Sequence, residues 1–145
     1  MLPPETERVW SFLKEQPALG GFVLVGGSAL ALRIGHRLSE DLDLAWIEPR
    51  LPRARVEALC RAAGERGWDF QHQDDEAALR EFAEGGLALH DYQQDYLVNS
   101  KVKVSFFTPE TPLAKVLEGA AESKVRIATL AELFKANSNS LSRRA

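Results

Sequence analysis

The chain has 145 residues, enough for one domain with a real core, and its 45% hydrophobic and 27% charged content is that of an ordinary soluble globular protein. A net charge of −3 excludes a global basic field for general nucleic-acid binding, and no apolar run approaches the ~20 residues that span a membrane. The start, Met1-Leu2-Pro3-Pro4-Glu5, lacks the basic and apolar regions of a signal peptide. The lone cysteine, Cys60, cannot form an internal disulfide, which fits the cytoplasm.

Pro4 to Gln16 is predicted as a helix, with Val9, Phe12 and Leu13 on one face, ended by Pro17 and Gly20-Gly21. Phe22 to Val25 is short and continuously apolar, the pattern of a buried strand. Ser28 to Ile34 is a short helix closed by Gly35, and His36 to Glu40 a polar loop. Leu42 to Ile47 is the second strand. Arg53 to Arg66 is an amphipathic helix with Val56, Leu59, Cys60 and Ala63 on its apolar stripe, so Cys60 is expected to pack in the core.

Trp68 to Gln71 is predicted as a third strand, and Asp74 to Glu84 as a helix capped by Asp74. Leu87 to Leu89 is read as extended. Asp95 to Val98 and Lys101 to Phe107 form a hairpin across Asn99-Ser100. In the second arm Val102, Val104 and Phe106 alternate with Lys101, Lys103 and Ser105, giving one apolar and one polar face. A loop or short helix follows through Pro109 and Pro112. Val125 to Ile127 reads as a small strand, and Thr129-Leu130-Ala131-Glu132 as the capping box of a last helix that runs out in Asn137 to Ser140. Strands and helices interleave around at least one antiparallel pair. The expected class is therefore α/β or α+β with a mixed sheet.

Two short motifs carry chemistry. Gly26 and Gly27 allow a sharp turn and close approach of a ligand, and Ser28 lies where the next helix begins. A helix start offers unpaired N–H groups and partial positive charge, which suits phosphate. The alternative is a strand-to-helix turn that needs glycine only for steric reasons. Asp41 and Asp43 lie at i and i+2 on a strand, so both carboxylates face one way while Leu42 and Leu44 face the core. Two like charges on one face repel, and a divalent cation such as Mg²⁺ relieves them. The alternative is a solvated sheet face.

The glycine turn, short helix, loop and D-x-D on a neighbouring strand together resemble the polymerase β-like nucleotidyltransferase fold. The string from Gly26 to Leu44, GGSALALRIGHRLSEDLDL, closely resembles the AbiEii/AbiGii toxin family, whose pattern reads roughly GG[ST]ALAL-x-x-GHR-x-S-x-D[LF]D. Val102 to Phe107 and Val125 to Phe134 resemble it more weakly. That resemblance implies a minimal nucleotidyltransferase domain over 1–145, Mg²⁺ as cofactor and a nucleoside triphosphate as substrate. It implies Asp41 and Asp43 as metal ligands and catalytic residues, and Lys103 as a catalytic residue near the phosphates. Gly26, Gly27, Ser28 and Arg37 would bind the nucleotide, with His36 ordering the loop. Family members act as toxins of type IV toxin–antitoxin and phage-defence systems, so an RNA acceptor such as tRNA and a cognate antitoxin are the implied partners.

The sequence departs from that pattern twice. The fold usually supplies a third carboxylate from the strand Lys101 to Phe107, where Ser105 stands instead. Asp91 and Asp95 are near in sequence but lack the expected spacing. In the last helix Asn137 stands where a lysine belongs and Lys135 is offset by two residues, and the domain is expected to lack the usual C-terminal helical extension. Two readings follow: an active Mg²⁺-dependent nucleotidyltransferase, or a degenerate member that binds nucleotide or a partner protein without turnover. A D-x-D glycosyltransferase is the weakest reading, because the chain is too short for that fold.

Overall fold

The computed structural model describes residues 2–35, 40–109 and 125–133. The loop through Pro112, the residues His36 and Arg37, and the end of the last helix with Lys135 and Asn137 lie outside the described residues.

Among the described residues a six-stranded mixed sheet runs β3-β4-β5-β2-β1-β6, with helices packed on it. In chain order the elements are α1 (Pro4–Leu13), β1 (Val23–Val25), α2 (Gly26–Ile34), β2 (Leu42–Ala45), α3 (Arg53–Glu65), β3 (Phe70–His72), α4 (Glu76–Glu84), β4 (Gln93–Val98), β5 (Val102–Phe107) and β6 (Arg126–Ile127). β2 is parallel to β5 and β6 is parallel to β1, while the other neighbours are antiparallel. The expected mixed sheet with interleaved helices is thus the observed class.

Each strand divides its side chains between two faces. Leu42 and Leu44 of β2, with Val102, Val104 and Phe106 of β5, are buried in one continuous core with Val9, Phe12 and Leu13 of α1 and Val56, Leu59 and Ala63 of α3. Phe22 packs edge-on to Phe106, and Phe12 stacks on Trp68. Cys60 is half-buried against this core, and burial raises its thiol pKa above the ordinary value, the opposite of what a nucleophile needs.

Boundaries shift where local chemistry wins over periodicity. α1 ends at Leu13, and the residues up to Leu19 tighten into 3₁₀-type turns ahead of Gly20. α2 begins at Gly26, two residues before Ser28, and closes on left-handed Gly35. The cap of α4 is Asp75, not Asp74: its side chain accepts from the Ala77 N–H at 3.0 Å. Of the segment Leu87 to Leu89, Ala88 has extended backbone, while Leu89 opens the 3₁₀ turn Leu89–Asp91. The capping box is observed as expected, with the Thr129 N–H donating to Glu132 and the Glu132 N–H to Thr129 Oγ1.

The β4–β5 hairpin closes with Asn99 and Ser100 both left-handed, at φ of 52° and 56°, and the Lys101 N–H donating to the Val98 carbonyl. A serine in that conformation stores strain that glycine relieves. Ser100→Gly is therefore expected to stabilise the protein by about 0.5–1 kcal/mol, read as a rise in the urea midpoint at unchanged m-value.

Candidate active site

α2 starts directly from the end of β1, and Gly26 makes this junction possible. Its φ is +72°, and a Cβ there would meet Asp43 Oδ2 at 2.8 Å. The glycine is needed both for backbone conformation and for the space the Asp43 carboxylate occupies. Val25, at the N-cap, provides no side-chain hydrogen bond to the first turn. The first turn also lacks acidic residues, so its N–H end retains its positive character. Gly26→Ala is expected to cost at least ~1–2 kcal/mol from the left-handed backbone alone, and to displace Asp43. A thermal melt and a triphosphate titration of the variant should both show a loss.

Ser28 is buried, and its hydroxyl donates to the backbone carbonyl of Asp41. Thr6, also buried, donates to the Glu40 carbonyl at 3.0 Å. The backbone entering the D-x-D is thus held from α2 and from α1. At its other end α2 is fixed by Arg33, whose guanidinium donates to the Ile127 and Ala128 carbonyls at 2.7 and 3.1 Å.

Asp41 lies just before β2 and is exposed, while Asp43 lies within the strand and is half-buried. Asp43 is paired with Val25 on one side and Ser105 on the other. Its carboxyl is pushed above the usual range, first by burial and then by the charge of Asp41. Lys103 opposes the shift, and Asp95 adds to it. Lys103 is exposed on β5, two residues from Ser105 and on the same face.

The influence of Asp95 follows from register. In the β4–β5 ladder Asp95 is directly opposite Ser105, and Ser105 is directly opposite Asp43 in the β5–β2 ladder. Asp43, Ser105 and Asp95 therefore form one row across three strands on one face. Asp95 is half-buried, and its carboxylate accepts from Gln93 Nε2 at 3.0 and 3.3 Å. Two strand spacings separate Asp43 and Asp95 at Cα, about 9.6 Å. The small serine between them leaves that gap clear of a large side chain. Asp91, the other acid in this part of the sequence, instead pairs with Arg53 at 3.3 Å and stands apart from the row.

A cleft of about 380 Å³ opens beside this row, lined by Gln73, Asp74, Asp75, Gln93, Asp95 and Lys103 among others. Lys103 and Asp95, whose charges act on Asp43, thus also line an open volume.

Residues 11–134 match the family described as AbiEii, a nucleotidyl transferase toxin of a type IV toxin–antitoxin system. The chain belongs to the AbiEii family. In fold it is similar to JHP933 from Helicobacter pylori, at 19% identity and a TM-score of 0.52 over 94% of this chain and 57% of that one. It is also similar to a chain described as a candidate nucleotidyltransferase from H. pylori, at 18% identity and a TM-score of 0.51 over 91% of this chain and 56% of that one. It thus spans a little over half the length of each of these solved structures. No curated protein matches it. Within the AbiEii match lie the glycine turn, the D-x-D and Ser105.

The donor set fits a hard divalent cation. Asp41 and Asp43 are oxygen donors two residues apart, and the Asp43 carboxyl is pushed up by burial first and then by the charge of Asp41, with Lys103 as counter-charge. Mg²⁺ takes one or two carboxylates together with water and phosphate oxygens. No helix among the described residues is long and apolar enough to cross a membrane.

Proposed function

We propose that this AbiEii-family chain is an Mg²⁺-dependent nucleotidyltransferase acting in the cytoplasm, with Asp95 taking the part usually played by a carboxylate at the position of Ser105. The observation that carries it is the row Asp43–Ser105–Asp95 beside the start of α2.

The triphosphate would lie against the N–H groups of Gly26, Gly27 and Ser28, with the Ser28 hydroxyl holding the Asp41 backbone in place. Mg²⁺ bound by Asp41 and Asp43 would draw charge from the α-phosphate and the leaving pyrophosphate. Lys103 would add positive charge near the phosphates, and Arg37 would contribute to nucleotide binding. An acceptor hydroxyl entering from the cleft would give its proton to Asp95 as its oxygen bonds to the α-phosphorus, while the bond from that phosphorus to pyrophosphate breaks. RNA such as tRNA is the acceptor we favour, and a cognate antitoxin the partner.

The alternative is a degenerate member that binds nucleotide or a partner without turnover. Incubation with Mg²⁺, each labelled triphosphate and bulk tRNA separates the two, with Asp43→Ala as control. Label transfer that vanishes in the variant supports the enzyme. Mg²⁺-dependent triphosphate binding with no transfer to tRNA, protein or water would assign the chain to the degenerate class.

A further inference from the structure

We propose that His72, Asp74 and His90 form a binding site for a transition-metal dication of the Zn²⁺ class, separate from the aspartate pair. Each offers a ligand atom, and these atoms all lie within 4.8 Å of one another. His90 Nε2 is 2.9 Å from Asp74 Oδ1. The His72 and His90 rings stack, with centroids 5.1 Å apart and planes 16° from parallel.

Three elements bring these groups together. His72 ends β3, Asp74 lies in the connection to α4, and His90 lies in the turn Leu89–Asp91. The backbone under each is anchored. The Gln73 N–H donates to the Asp95 carbonyl at 2.9 Å, which extends the ladder between His72 and Asp74. Gln94 Nε2 donates to the His90 carbonyl at 3.0 Å, and Asp75 caps α4 immediately after Asp74. The His72 ring also rests on Tyr96, with centroids 4.5 Å apart.

The donor chemistry is distinct from that of the aspartate pair. Two imidazole nitrogens with one carboxylate oxygen suit Zn²⁺, Ni²⁺ or Cu²⁺, whereas Mg²⁺ prefers oxygen alone. Bonds of ~2.0–2.2 Å to a tetrahedral ion place ligand atoms roughly 3.3 Å apart. The observed spacing, within 4.8 Å, has to contract by about 1.5 Å at its widest to reach that separation. On binding, Asp74 exchanges its contact with His90 for the ion, and water completes the coordination. His72 and Asp74 are exposed, so an ion enters without opening the core. An ion held there ties the end of β3 to the turn before β4. Asp74 also lines the cleft beside Asp95 and Lys103, so that wall of the cleft becomes fixed.

The test uses the full chain without a histidine tag, stripped with chelator and titrated calorimetrically with ZnCl₂ in excess Mg²⁺. One Zn²⁺ per chain is expected, with micromolar or tighter affinity, unchanged in Asp43→Asn and in Cys60→Ser. Loss of an outer-shell partner alone typically weakens metal binding by 10–100-fold. His72→Ala and His90→Ala should therefore each weaken it by at least about tenfold. Co²⁺ should give visible ligand-field absorption, and its paramagnetism should shift the ring protons of both histidines in the wild-type chain, a readout that needs no variant to fold. Absence of Zn²⁺ binding, or binding that survives both histidine substitutions and is lost in Asp43→Asn, overturns the proposal.

Discussion

Replacing Asp43 by Asn is expected to abolish nucleotide transfer and, without added metal, to make the protein more stable. Both effects have one origin. Asp43 is held half-buried beside Asp41, with Asp95 adding further negative charge, and its folded pKa lies above the ordinary 3.8. A raised carboxyl pKa means that the folded state binds the proton more tightly than the unfolded chain. Its contribution to stability is present at acid pH and is lost as pH rises from the unfolded value through the folded one. At neutral pH the ionised side chain therefore opposes folding unless a cation is bound. Relieving such a site typically stabilises by ~0.5–2 kcal/mol, or roughly 2–4 °C per kcal/mol for a chain near this size. Transfer should fall by at least about a hundredfold, since charge stabilisation by the metal is worth several kcal/mol. Thermal melts of both proteins at pH 7 and pH 4, with and without Mg²⁺, check the stability half. The advantage of the Asp43→Asn variant should shrink at acid pH and again with Mg²⁺. If that variant were less stable than wild type at pH 7 without metal, this account of the site would be contradicted.

The second large effect is expected at Asp95. Asp95→Asn should lower the rate of transfer by about 10²–10⁴-fold, the usual contribution of a positioned general base. Mg²⁺-dependent triphosphate binding should be nearly unchanged, because the α2 start and the aspartate pair remain. The decisive control is relocation. Ser105 lies between Asp43 and Asp95 in the same row. Ser105→Asp in the Asp95→Asn background returns a carboxylate to that row one strand closer to Asp43, and should recover part of the lost rate. Single-turnover kinetics with saturating triphosphate separates the chemical step from binding. A normal rate in Asp95→Asn would remove Asp95 from the mechanism. A loss that Ser105→Asp does not relieve would point to a structural role through Gln93 instead.

Why Asp95 was hidden in the sequence is a matter of one residue. A two-residue turn at Asn99-Ser100 pairs Val98 with Lys101, and hence Asp95 with Val104 on the apolar face. In the structure Lys101 belongs to the turn, Val98 pairs with Val102, and Asp95 comes opposite Ser105. A one-residue slip exchanges the faces of a strand, so correct elements with the wrong register concealed the acid. Elements with strong local signals were legible: the apolar run ending at Val25, the stripe of α3, the alternation of β5 and the capping box at Thr129. Contacts between distant segments were not. The Ser28 hydroxyl on the Asp41 carbonyl and the Thr6 hydroxyl on the Glu40 carbonyl join residues 13 and 34 positions apart. The displacement of the α4 cap from Asp74 to Asp75 had no clear sequence signal either, since both residues are competent caps.

The close approach of Gly26 to the Asp43 carboxylate makes one half of the site resistant to change. A side chain added at the turn would strike the carboxylate, and a shift of the α2 start would carry the Asp41 backbone with it through Ser28. A substitution in this half therefore disturbs the helix start and the aspartate pair together. The far wall of the cleft is tied differently: Gln93 donates to the Asp95 carboxylate, and Lys103 and Asp95 act on Asp43 through charge. Gln73 there is an exposed loop side chain, replaceable without disturbing the α2 start. Under the proposed function, variation in acceptor choice is therefore expected at such loop positions rather than at the α2 start.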